Sequence, residues 1–242
     1  MIERLQAGKV PTSISGHEAV LSHYGVSSVL LAQEVARRMS AGELTWEEYG
    51  GTHPGPAGNA LAAKMCGELL DIAWTRESDG FDAVAPHRLP PTLLDNDSYV
   101  AGRWLLPAAG QNSSWVWEEP DWEQIGGGFR DTFAGLPLLC GSSPRAGGIS
   151  GQTAGILFEG TAFGAYVLAG PDAGIVECAV DAGPWATVDL YHRFSGGLHY
   201  PRTVMFVTRL QRGRHEARLR VRARCIGEDG GNVARVLQFA VS

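Results

Sequence analysis

No run of about eighteen apolar residues occurs anywhere in this 242-residue chain, so no segment is long enough to cross a bilayer as a helix. The first ten residues, Met1 to Val10, are polar and amphipathic and lack the apolar core of a secretory leader. Charged residues are scarce at 19%, with a net charge of −6. That acidic balance sets nucleic acid aside as a main partner, because phosphate recognition needs a basic face. Cysteine is sparse as well. The four cysteines stand far apart, at 66, 140, 178 and 225, with no C-x-x-C pair, which excludes an ordinary structural zinc site. No metal site and no cofactor are expected. Cys66 and Cys178 fall in apolar stretches and read as core; a Cys140–Cys225 bridge is left open. What the chain does have is glycine, 32 residues, alongside a hydrophobic content of 44%. This suits a turn-rich β protein with a real core, as one large or two modest domains.

Helical periodicity is confined to the first third. From about Ala57 to Trp74, Leu61, Met65, Leu69 and Ala73 recur at four-residue spacing and form one apolar face. Before that helix runs the loop Gly50-Gly51-Thr52-His53-Pro54-Gly55-Pro56. Paired glycines open backbone angles closed to other residues, and the prolines stiffen the exit. A residue before proline is pushed away from helical angles, so His53 is expected in an extended turn. It would be anchored by the helix behind it and reachable from a cleft, where catalytic groups concentrate. By base rates, a surface or capping histidine is the commoner use of such a position.

The stretch from Lys9 to Trp74 resembles the C-terminal third of an SGNH (GDSL-type) hydrolase domain. Three blocks carry the resemblance. The first is Ile14-Ser15-Gly16-His17-Glu18 with His23-Tyr24-Gly25-Val26-Ser27-Ser28. The second is a helix around Ala32 to Met39, closed by Ala41-Gly42-Glu43 and Leu44-Thr45-Trp46. The third is Thr52-His53-Pro54 with Gly58 and the closing helix. The resemblance implies a serine esterase with His53 as its general base. In that family an aspartate commonly lies three residues before the histidine; here Gly50 occupies that position. Glu48 is the candidate orienting acid, the alternatives being a backbone carbonyl in that role or no acid at all. The family's Gly-Asp-Ser nucleophile turn is absent from the sequence. Only about fifty residues precede His53, too few for the first strand–helix units of a doubly wound sheet. The expected explanation is a truncated product, an internal start at Met1, or a split protein whose partner chain supplies the missing half. Other candidate serines include Ser13, Ser15, Ser27, Ser28, Ser142, Ser143, Ser150 and Ser195, and none sits in a nucleophile elbow.

Beyond Thr75 the character changes. Residues 76–94 hold Asp79-Gly80 and Pro90-Pro91 and read as a linker. From 95 to 242, short apolar runs alternate with glycine-rich turns. Gly155–Phe158 and Phe163–Leu168 flank Glu159-Gly160-Thr161. Gly174–Val180 meets Thr187–Arg193 across Asp181-Ala182-Gly183-Pro184, a strong turn signal. In His215–Cys225, Ala217, Leu219, Val221 and Ala223 face one way and Glu216, Arg218, Arg220 and Arg222 the other, strict period two. The arginines are expected to oppose acids on a neighbouring strand. Val233–Val241 closes the chain. About eight to ten strands in roughly 145 residues predict a β-sandwich of jelly-roll type. The fold class expected for the whole is thus α/β plus all-β: a partial SGNH-like (flavodoxin-like) α/β segment over 1–75, then the sandwich.

Trp104, Trp115, Trp117 and Trp185 read as core fillers, whereas Trp122, between Asp121 and Glu123, reads as exposed. The segment Tyr191–Arg202, crowded with histidine, tyrosine and arginine, reads as a hydrogen-bonded corner joining two sheets. Three functions follow from these readings. One is hydrolysis of carbohydrate-linked esters, with a small ester or acetylated carbohydrate as substrate. The second is a non-catalytic carbohydrate-binding or adaptor module, and the third is a folded hydrolase fragment.

Overall fold

The computed structural model describes residues 1–75, 86–106, 115–119, 121–123, 125, 136–144, 149, 155–224 and 230–242. They form two compact units, Met1–Asn96 and Asp97–Ser242.

The first unit carries five helices: α1 (Ile2–Gln6), α2 (Thr12–His23), α3 (Leu31–Ser40), α4 (Trp46–Tyr49) and α5 (Pro56–Thr75). Among the described residues it has no strand, which departs from the α/β segment expected over 1–75. Residues 26–30 join no sheet among the described residues, and a strand needs a neighbour to take its backbone hydrogen bonds. The expected helices stand at α3 and α5. On α5, Gly58 and Leu61 are buried and Met65 and Leu69 half-buried, while Ala73 is exposed. Cys66 is exposed, contrary to its reading as core; one residue past Met65 turns it about 100° away from the buried stripe. Of the expected linker, residues 76–85 lie outside the described residues. The remainder is fastened to the end of α2, where the His87 ring meets the Tyr24 carbonyl at 2.5 Å and the His23 ring meets that of Thr92 at 2.9 Å.

The second unit is built from ten described strands: β1 (Arg103–Leu105), β2 (Trp115–Glu118), β3 (Leu138–Ser142), β4 (Ile156–Gly160), β5 (Phe163–Ala169), β6 (Ile175–Val180), β7 (Ala186–Asp189), β8 (Tyr200–Val207), β9 (Gly213–Arg222) and β10 (Val233–Val241). One sheet runs β2-β3-β10-β5-β8, with β1 also on β10; the other runs β4-β9-β6-β7. Every ladder is antiparallel. The inner faces share one core, in which Phe163, Phe239, Val167 and Val236 from the first sheet meet Val176, Cys178, Leu219 and Val221 from the second. A smaller cluster of Ile125, Leu138, Cys140, Leu168 and Leu237, with Trp122 and Tyr166 against it, lies on the other side of the first sheet.

Several local expectations hold. β9 alternates as predicted, with Ala217, Leu219 and Val221 fully buried. Arg220 and Arg222 both reach Glu177 on β6, at 2.6 and 3.3 Å. β6 and β7 form a hairpin whose turn places Asp181 and Ala182 at φ 50° and 59°, with the Gly183 N–H donating to the Val180 carbonyl at 2.8 Å. Positive φ at both central residues marks a type I′ turn, whose twist suits a hairpin. The Tyr191–Arg202 segment leaves β7 in one sheet and enters β8 in the other. There the Ser195 hydroxyl, fully buried, accepts from the His192 N–H at 2.9 Å and donates to the Ala169 carbonyl at 3.0 Å.

The Glu159-Gly160-Thr161 connection crosses between the sheets, since β4 and β5 belong to opposite ones. Other expectations do not hold. Of the tryptophans read as core, Trp115 is buried but Trp104 and Trp117 are 51% and 39% exposed. Trp185 lies half-buried over the Arg220 guanidinium at 4.0 Å. Trp122, read as exposed, packs on the smaller cluster. Cys225 and Ser150 lie outside the described residues. No helix among the described residues is long and apolar enough to cross a membrane.

Candidate functional site

His53 sits in the bend between α4 and α5, and its side chain is exposed. The loop around it is held by backbone. α4 opens with a capping box: the Glu48 N–H donates to the Thr45 hydroxyl at 3.1 Å, and the Thr45 N–H donates to a Glu48 carboxylate oxygen at 2.8 Å. This Thr-x-x-Glu pairing satisfies two otherwise orphaned donors. The helix ends at Gly50, with φ 106°, followed by Gly51 at 79°. A side chain at residue 50 would place its Cβ 2.0 Å from the Gly55 nitrogen; only glycine lets the chain fold back there. The return is fixed by the Gly55 N–H donating to the Tyr49 carbonyl at 2.8 Å. Pro56 then starts α5, a position where its missing N–H costs nothing. The Asn59 side-chain amide reaches back to the Pro54 carbonyl at 3.3 Å. Gly58 is buried against Tyr49 and Pro54; a Cβ there would lie 2.5 Å from the Tyr49 oxygen.

His53 is therefore presented on a stiff Ω-like turn between a capped helix and a long one. Glu48 is not joined to it: among the described residues no hydrogen bond or ion pair links the two, and the Glu48 carboxylate faces Thr45. The capping box and the roles of Asn59 and Tyr49 were not among the readings of the sequence, although Thr45-x-x-Glu48 before an aromatic turn is a legible helix start.

The other nucleophile candidates are placed elsewhere. Ser28 donates to Glu18 at 2.8 Å, and Ser15 to the Thr12 carbonyl at 3.2 Å. Ser195 spends its hydroxyl in the corner between sheets. Ser143 is buried, and Ser13, Ser27 and Ser142 are exposed. No hydroxyl is hydrogen-bonded to His53 among the described residues. The buried thiols are no better, since burial pushes both Cys140 and Cys178 up to about 12, far from the thiolate range a nucleophile needs.

No family model matches this sequence, and no curated protein matches it. Solved structures do resemble it. A two-domain esterase active on acetylated mannans aligns with TM-scores of 0.60 and 0.61 in two crystal structures, one of them co-crystallised with mannopentaose. The chain shares the fold of part of that esterase. Sequence identities are 17% and 16%, and each alignment covers 93% of this chain but 58% of the esterase. The chain thus spans under two thirds of the length of these structural relatives.

Proposed function

We propose that residues 1–75 are the C-terminal portion of an SGNH-type hydrolase domain and residues 95–242 a jelly-roll sandwich, together serving an esterase that acts on acetylated carbohydrate. The observation that carries this reading is His53 itself. It is an exposed side chain on a backbone turn fixed by Gly50, Pro54 and Gly58 ahead of a long helix, in the order His-Pro-x-x-x-Gly. Support for the sandwich comes from its strand order: β3-β10-β5-β8 facing β4-β9-β6-β7 is the winding of two Greek keys. Support for the substrate class comes from the fold shared with an esterase active on acetylated mannans.

In this mechanism the His53 imidazole takes the proton from a serine hydroxyl as its oxygen attacks the acetyl carbonyl. It then gives that proton to the departing sugar oxygen. Water, deprotonated by the same imidazole, next attacks the acetyl-serine; acetate leaves, and the proton returns to the serine oxygen. With no Gly-Asp-Ser turn in this sequence, the serine comes from outside these residues, as from a partner segment carrying the first part of the domain. Glu48 is the candidate acid for the second imidazole nitrogen. To serve, it exchanges the Thr45 amide for the ring, giving up a capping bond worth about 0.5–2 kcal/mol.

The test is acetate release from acetylated mannan by the protein carrying its complementing segment. His53→Ala should lower kcat by at least about a thousandfold, in keeping with loss of a base acting as part of a unit. A loss below about tenfold would remove His53 from the role. Glu48→Gln should keep the loop folded and lower kcat only if the carboxylate orients the ring.

A further inference from the structure

The outer face of the first sheet is divided in two. At one end, Trp122 and Ile125 cover Leu138, Cys140, Leu168 and Leu237. At the other end the described residues of the sheet make a trough. The strand register aligns Trp104 on β1 with Ala240 on β10, Ala240 with Gly164 on β5, and Gly164 with Met205 on β8. Two small residues thus form the floor between two bulky walls. Gly164 stays small by necessity, since a Cβ there would lie 2.3 Å from the Val204 carbonyl and 2.6 Å from the Met205 sulfur.

The resulting cavity is about 240 Å³ and is lined by Tyr99, Trp104, Thr203, Met205 and Ala240 among others. The Trp104 indole is 51% exposed and Tyr99 equally so. Trp104 is braced by the Tyr166 ring at 5.6 Å, and Tyr166 is itself packed on the covered cluster. One step along the same face, Gln238 and Thr203 flank Tyr166 in register, offering an amide and a hydroxyl beside the aromatic wall. At the rim, Arg103 donates to the Glu159 carbonyl at 2.6 Å.

An exposed, braced indole over an apolar floor, bordered by uncharged hydrogen-bonding groups, matches a ligand with one apolar face and a hydroxylated rim. The volume falls below the roughly 300 Å³ at which drug-sized pockets begin, which suits a single ring. We infer that this trough binds one pyranose ring of a neutral polysaccharide, stacked on Trp104 with its hydroxyls toward Thr203 and Gln238. The site is separate from the ester chemistry proposed at His53 and rests on it for nothing.

Calorimetric titration of the full chain with pentasaccharides of β-linked mannose, glucose and xylose tests the inference. At least one of these should bind. Trp104→Ala should weaken that binding by at least about tenfold, a change of roughly 1.4 kcal/mol. Trp104→Phe should retain most of it, and Ala240→Leu, which fills the floor, should weaken it as Trp104→Ala does. Trp104 is surface-exposed, so its variants keep the fold, and thermal melts verify this. No binding by any pentasaccharide at millimolar concentration would overturn the site, as would binding that survives Trp104→Ala unchanged. Acetate release is measured in parallel on the protein carrying its complementing segment: Trp104-dependent binding with no esterase activity there would sink the hydrolase reading and leave this site standing.

Discussion

Replacing Gly58 by alanine sets two effects against each other in one position of α5. Alanine is favoured over glycine in a helix by at most about 1 kcal/mol. Against that, the new Cβ would lie 2.5 Å from the Tyr49 carbonyl oxygen and 2.8 Å from the Pro54 Cβ. Neither obstacle is a flexible side-chain end. The Tyr49 carbonyl is tied to the Gly55 N–H, and Pro54 is a ring in the turn that carries His53. Overpacking of this kind costs about 1–3 kcal/mol, so Gly58→Ala should destabilise the first unit by up to about 2 kcal/mol. Gly67 supplies the internal control. It lies in the same helix with nothing within 4 Å of its notional Cβ, so Gly67→Ala should stabilise by about 0.5–1 kcal/mol. Urea unfolding followed by far-ultraviolet ellipticity reads both, because the described helices of length all lie in this unit. Opposite signs are required. If Gly58→Ala stabilised as much as Gly67→Ala, the turn would not be locked against α5, and the case for a rigidly presented His53 would fall with it.

Four further outcomes are expected. The His215 ring meets Asp181 at 2.5 Å and the Gln211 carbonyl at 2.8 Å; the Asp181 bond holds His215 above its ordinary value, and the same bond holds Asp181 below its own. The histidine's contribution is full below about 6.5 and fades as pH rises through its raised value, whereas the aspartate's is full above about 3.9 and fades as pH falls through its lowered value. Denaturation midpoints should therefore show a plateau between those limits that Asp181→Asn flattens, and an unchanged pH profile in that variant would contradict the pairing. Glu177→Ala leaves Arg220 and Arg222 facing each other beside a carboxylate site that is 7% exposed; a loss of about 2–3 kcal/mol in urea unfolding is expected, below the full cost of a wholly buried pair because the arginines retain some water. Ser195→Ala removes both bonds of a fully buried hydroxyl and should cost about 1–3 kcal/mol, with the loosened corner visible as faster amide exchange at His192. Phe239→Ala, emptying a fully buried site between the sheets, should cost about 3–5 kcal/mol; a loss under 1 kcal/mol would mean the two sheets do not share that core.

Much of this was legible in the sequence because it is local. Four-residue spacing gives α5, strict alternation gives β9, and Asp181-Ala182-Gly183 between two apolar runs gives the β6–β7 hairpin. What failed depends on partners distant in sequence. Periodicity says which side of a strand is apolar but not which strand lies beside it, so it leaves the sheet partners of β4 and β5 open. Their connection crosses between sheets, with the Thr161 N–H and hydroxyl captured by the Ser242 carbonyl at the end of β10. The tryptophans fail for a similar reason. Trp104 and Trp115 have the same hydropathy, yet Trp115 is buried in the shared core while Trp104 lies half-exposed on a sheet surface. At the candidate site the opposite holds: the glycines, prolines and histidine of the loop are readable residue by residue, while the direction of Glu48 is not, since its carboxylate chooses between a helix end and an imidazole by geometry alone.

The rims of the two sheets have a bearing on self-association. Among the described residues, the outermost strands are β2, β8 and the three-residue β1 in one sheet and β4 and β7 in the other. β2 and β7 are four residues long and β4 five, and β8 carries Pro201, which has no N–H to offer. Short strands and an edge proline are the devices by which natural sandwiches refuse a passing strand from another chain. Pairing between copies through these described edges should accordingly be weak even at high concentration.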